Sequence, residues 1–163
     1  MGSLFILKDK LLFLRWYTCR KIVITHKEQL FKILIVVFTR VIENKVASKV
    51  NLERRGIQIE SNLCNLCRLS EESTKHLFFG CRVAWLIWNL CYDWLGMNLV
   101  DLIVPGSYFE HFKIFDAPNS VNLIMGNIWI ALVSEIWRHR NNCLFKGGVV
   151  DHTEVFYLAQ VKV

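Results

Sequence analysis

Only two of the 163 residues are proline, and no internal repeat, low-complexity tract or long charged linker interrupts the chain. So few breaks exclude a string of linkers and leave a packed globular body as the default. A membrane span is also lacking. The longest apolar run, Val121 to Val133, contains Asn122 and Asn127 and runs into Ser134 and Glu135, so a buried helix is expected there and no membrane partner. No secretory leader is legible either. The stretch Leu4 to Leu14 is broken by Lys8, Asp9 and Lys10 and lacks a small-residue cleavage site, which predicts an intracellular protein, nuclear or cytoplasmic and not secreted. Catalytic signatures are missing as well: there is no phosphate-cradling glycine loop, nucleophile elbow, HExxH helix or paired-carboxylate site. A Cys–His dyad can be imagined from Cys81 with His76 or Cys143 with His139, but such pairs arise easily by chance in a chain with five histidines. The expectation is a protein that is not an enzyme.

What is present suits a single domain. Hydrophobic residues make up 53% of the chain and charged residues 21%, enough apolar material for a core without disulfides. Eleven Phe, six Trp and four Tyr mean either a ring-rich core or aromatic surface awaiting a partner. The net charge of +6 is lopsided: residues 1–60 hold twelve Lys/Arg against five Asp/Glu, and the rest holds eight against nine. A basic N-terminal half suits nucleic acid or an anionic surface, and equally the solvated face of an ordinary soluble protein.

Residues 1–38 sustain neither a helical nor a strand period. From Val36 to Arg55 one helix is predicted, with Val37, Val41, Val46, Val50 and Leu52 sharing a face and Gly56 as its stop. Ile57 to Leu63 reads as an extended lead-in. After Cys81, Ala84, Ile87, Trp88, Cys91 and Leu95 follow helical spacing up to Gly96. A loop with Pro105, Gly106 and the rings Tyr108, Phe109 and Phe112 follows. A second long helix is then predicted over Asn119 to Phe145, with Ile128, Leu132, Ile136 and Leu144 on its stripe, Trp129 and Trp137 at the margins, and Gly147 and Gly148 ending it.

Residues 64–81 read CNLCRLSEESTKHLFFGC: a Cys-x2-Cys pair, eight residues, a His, four residues and a final Cys. Two thiolates from a Cys-x2-Cys turn converge on one cation, and Cys64, Cys67, His76 and Cys81 complete the tetrahedral set of thiolate and imidazole that Zn2+ favours. Four protein ligands leave no position for water, so the predicted site is structural. Three thiolates on a divalent ion leave about one negative charge. Arg68, Lys75 and Arg82 stand close in sequence to offset it. The bland reading, in which Cys64 and Cys67 are incidental thiols, is weakened by the added His and Cys. Cys19, Cys91 and Cys143 have no such partners and are read as core residues.

Three segments resemble one family, the zinc-binding domain that follows the polymerase region in plant LINE-type (non-LTR) retroelement reverse transcriptases. They are NKVASKVNLERRGI (Asn44 to Ile57), CNLCRLSEESTKHLFFGCRVAWLIW (Cys64 to Trp88, with the acidic pair Glu71 and Glu72) and IWRHRNNCLF (Ile136 to Phe145). The resemblance implies a zinc-binding domain over residues 35–148, between a poorly matching segment 1–34 and a C-terminal tail 149–163. The Tyr-x-Asp-Asp type signature of the polymerase is absent, as are endonuclease and ribonuclease H carboxylate sets, so no catalysis is implied.

The fold expected is mainly α, a small helical domain built around a Cys3His zinc knuckle and compatible with a short β-hairpin at the Cys-x2-Cys turn. The function expected is a noncatalytic module assisting RNA or DNA binding, with Lys45, Lys49, Arg54 and Arg55 as foremost phosphate contacts and Arg138 and Arg140 behind them. The rival is a protein-interaction or scaffold module docking on a reverse transcriptase polymerase domain, or a nonfunctional remnant. The two active readings differ in whether cations and rings share one surface.

Overall fold

The computed structural model of the protein describes residues 36–97 and 117–163. Among these the architecture is mainly α, as expected, with no strand. A lead-in helix, described over residues 36–42, is followed by α1 (Lys49–Arg54), a π turn (His76–Gly80), α2 (Arg82–Leu95), α3 (Asn119–Lys146) and α4 (His152–Lys162). In place of a hairpin, a single antiparallel bridge joins Leu63 to Glu71 across the Cys-x2-Cys turn. Cys19 and the Tyr108, Phe109 and Phe112 loop lie outside the described residues.

The long helices end where their glycines permit. Gly96 adopts a left-handed φ of 62°, and the amides of Gly96 and Met97 return to the carbonyls of Asp93 and Tyr92, the paired bonds that satisfy a helix C-terminus. Gly147 is also left-handed, at φ 65°, but here the amides of Gly147 and Gly148 both donate to the Asn142 carbonyl. On α2 the predicted stripe is buried at Ala84, Ile87, Trp88 and Cys91.

The helix predicted over Val36 to Arg55 is instead two. Asn44 takes a left-handed φ of 54°. The amides of Asn44 and Lys45 bond back to Val41 and Arg40, so the same closing motif ends the first helix with asparagine in the glycine position. The side chain of Asn51 holds the break in place, its Nδ2 lying within 3.2 Å of Asn44 O, Asn44 Oδ1, Val46 O and Thr74 Oγ1. A valine periodicity continuous across the break hid it, because Val41 and Val46 are buried on both sides of it.

Among the described residues the core is rich in rings, while Trp85, Phe145 and Tyr157 stay exposed. Phe79 of the π turn, Trp88 of α2 and Trp129 of α3 form a mutually packed triangle of rings, with centroids 6.0 to 6.1 Å apart. Phe38 meets Trp129 edge-on at 5.3 Å. Trp129 therefore stands at the centre of the core, fully buried, and not at its margin. Trp137 is half-buried beside Phe78, and Leu144, expected on the stripe, is 39% exposed because α3 runs past its neighbours there.

Residues 149–163, read as a tail, contain α4. Asp151 caps it by accepting from the amides of Thr153 and Glu154. Its buried Val155 and Ala159 pack between α2 and α3, and Phe156 meets Trp94 edge-on. By length and composition α3 resembles a membrane span, yet 61% of its most apolar window is buried inside the protein. It is the core helix.

Candidate metal centre

Cys64 and Cys67 stand on a tight turn. Arg68 N donates to the Cys64 carbonyl, Cys64 N donates to the Ser70 carbonyl, and Arg68 closes the turn at a left-handed φ of 56°. His76 opens the π turn and Cys81 follows it. The wide i to i+5 ring, closed by Cys81 N donating to the His76 carbonyl at 2.6 Å, brings these two ligands back over one another, which gives the four-residue gap in the motif its physical meaning. Leu77, Phe78 and Phe79 within the turn face the core, so the ring cluster fixes the direction in which His76 points.

The four predicted ligand atoms lie within 4.8 Å of one another. Cys64 Sγ and Cys81 Sγ are 3.9 Å apart, and Cys67 Sγ is 3.2 Å from His76 Nε2. Tetrahedral zinc with Zn–S bonds of about 2.3 Å requires sulfur–sulfur edges of about 3.8 Å, so the pocket already has the dimensions of the ion's coordination shell. Cys64 and Cys81 are buried, and Cys67 and His76 are half-buried.

The protein also prepares the charge. The hydrogen bond with Cys81 holds the Cys64 thiol down to about 3 against the opposing effect of burial, helped by His76 and by the amides of Cys67 and Leu66. The same contact and burial push the Cys81 thiol up, and hydrogen bonding to Cys64 raises His76. Val83 and Ala84, in the first turn of α2, turn their amides toward the Cys81 sulfur and favour its charged form. A cation entering here displaces protons held by Cys81 and His76, so metal affinity falls as pH falls. Zinc, held by Cys64, Cys67, His76 and Cys81, would tie the turn, the π turn and the start of α2 into one unit.

A buried ion pair braces this unit from behind. Arg140 of α3 donates through Nε and Nη2 to Glu72 Oε1, with both side chains buried. Glu72 also accepts from Lys49 N at 3.3 Å and, through Oε2, from Asn65 N at 3.1 Å inside the Cys-x2-Cys turn. One carboxylate thus joins α1, the knuckle and α3. In the sequence Glu72 was visible only as half of an acidic pair.

The expected phosphate contacts are not brought together as a group. Arg140 is corrected outright: it is 2% exposed, committed to Glu72, and stacked 5.0 Å over the Trp137 ring. Arg138 is exposed but bonded to Glu135, which also takes Lys162. Lys49 Nζ donates to the Leu63 carbonyl, Lys45 pairs with Glu43, and Arg55 donates to the Lys45 carbonyl. Arg54 is exposed and makes no such bond. Of the remaining cysteines, Cys91 is buried in the core, where burial pushes its thiol up, whereas Cys143 is only half-buried.

No curated protein and no solved structure matches the chain. A family model does match, over residues 18–88, less than half of the chain, beginning upstream of the expected boundary at residue 35 and ending at Trp88. That span takes in all four ligands, so the region carrying the Cys3His cluster is similar to the family described as zinc-binding in reverse transcriptase.

Proposed function

We propose that this is a noncatalytic, structural zinc-binding module of a retroelement-derived protein that helps hold RNA or DNA. The observation that carries the reading is the closed ligand set. Cys64, Cys67, His76 and Cys81 use up the four positions of tetrahedral zinc, which leaves none for a water or substrate. The ion's role is then to fold the chain, and the folded unit leaves Arg54 and Arg55 exposed at the end of α1. Contacts of this kind position a backbone without reading its sequence. The plant LINE-type origin rests on the three sequence segments alone.

A second reading, docking on a polymerase domain, is favoured by apolar side chains beside the knuckle, with Leu69 71% and Trp85 46% exposed. Fluorescence anisotropy of zinc-loaded protein with labelled single-stranded RNA, single-stranded DNA and duplex separates the two. Nucleic-acid binding predicts sequence-tolerant association that weakens steeply with salt. No association with any strand at low salt would leave docking as the reading.

A further inference from the structure

Between the lead-in helix, α1 and the start of the π turn lies a cleft of about 290 Å³. Its polar lining comprises Asn44, Asn51, Arg54, Ser73, Thr74 and Lys75, and it contains no carboxylate. Arg54 and Lys75 are exposed and have no ion-pair partner among the described residues, unlike Lys45, Arg138 and Arg140, whose charges are already answered by Glu43, Glu135 and Glu72.

The uncharged groups point to the same ligand chemistry. Asn44 Oδ1 and Thr74 Oγ1 both accept from Asn51 Nδ2, and Ser73 Oγ accepts from His76 N. Each of these oxygens thereby has a lone pair engaged inside the protein, and the Asn44 amide N–H2 and the two hydroxyl hydrogens remain as donors for a ligand. Two free cations and three spare donors around a cleft without an acid describe a site for an oxyanion. We infer that this cleft takes a phosphodiester of the bound nucleic-acid strand, with Arg54 and Lys75 as the charged contacts. The inference rests on the nucleic-acid reading above and adds to it a location and a residue, Lys75.

The cleft is also tied to the metal centre. Lys75 directly precedes the candidate ligand His76, and Ser73 Oγ accepts from the His76 amide, so zinc bound there would hold this wall in place. Nucleic-acid affinity through the cleft therefore requires zinc.

The test compares zinc-loaded wild-type protein with Arg54→Gln, Lys75→Gln and the double variant in anisotropy titrations of a labelled single strand over a range of salt. Lys146→Gln, an exposed cation outside the cleft lining, serves as control. Both cleft side chains are exposed, so the variants are expected to keep their zinc and their circular dichroism spectrum, measured in parallel. Each cleft variant should lose affinity, and the double variant should reduce the slope of log K against log salt by about 0.7, the value for one phosphate on a single strand. Lys146→Gln should retain the wild-type slope. Wild-type binding with an unchanged slope in the double variant overturns the cleft and spares the nucleic-acid reading. No binding by the wild type overturns both.

Discussion

Replacing Arg140 with Met leaves Glu72 as a buried carboxylate without its counter-charge. In the wild type that carboxylate receives two guanidinium N–H groups and the amides of Lys49 and Asn65, and nothing of it reaches water. Removing one partner of a buried pair costs about 3 to 5 kcal/mol, because the remaining charge is neither solvated nor neutralised. Arg140→Met should therefore lose about that much in urea unfolding of the zinc-loaded protein. Glu72→Gln keeps one acceptor oxygen but strands the guanidinium, for which Asn141 Oδ1 and the Trp137 face are weak substitutes. The double variant leaves no stranded charge, so its loss should be smaller than the sum of the single losses by about 1 to 3 kcal/mol, the coupling of contacting residues. Arg138→Ala provides the contrast. Its guanidinium is 52% exposed and Glu135 retains Lys162, so a loss of at most about 1 kcal/mol is expected. An Arg140→Met protein as stable as Arg138→Ala, or strictly additive losses in the double variant, would refute the bracing role given to this pair.

Two further predictions follow from the core. Trp129→Ala should cost about 3 to 5 kcal/mol by thermal or urea unfolding, since a large fully buried ring is lost, and the half-buried Trp137 should cost clearly less; equal losses would mean the core is centred elsewhere. His139 is buried and accepts from Asp151 N through Nε2, and burial lowers its pKa below the ordinary 6.5. The unfolded chain thus takes up this proton first, so the contribution of neutral His139 is fully present above pH 6.5 and is lost as pH falls through the lower folded value. Measuring thermal midpoints of wild type and His139→Gln side by side cancels the zinc-linked protons, and wild type should lose ground to the variant only below that pH; a constant difference would contradict the assignment.

The metal centre was legible because its ligands are close in the chain and their chemistry is specific: Cys64, Cys67, His76 and Cys81 can be recognised before any fold is known. The two long helices were legible for a related reason, since Gly96 and Gly147 mark left-handed stops that few other residues accept. What stayed hidden depends on contacts distant in sequence. Arg140 looked like a surface cation because its partner, Glu72, is 68 residues away. The break at Asn44 depends on the buried side chain of Asn51, which no periodicity of apolar residues reveals. The last helix was missed although Asp151 with Glu154 three residues on is a helix-start signal, because its apolar residues do not form a clear stripe and it is held by packing on α2 and α3.

Zinc content and its effect on folding test the central claim most directly. Protein purified under reducing conditions with zinc supplied should hold one ion per chain in the Cys64, Cys67, His76 and Cys81 cluster by elemental analysis. A chelator should abolish much of the helical circular dichroism, since apparent zinc-binding free energies of about 10 to 16 kcal/mol exceed the net stability of most domains. Cys64→Ser and Cys81→Ser should reproduce the chelated state, while Cys91→Ser, which also removes a buried thiol but no ligand, should retain zinc and fold. A protein that purifies without zinc under these conditions, or whose spectrum is unchanged once the metal is gone, would contradict the account.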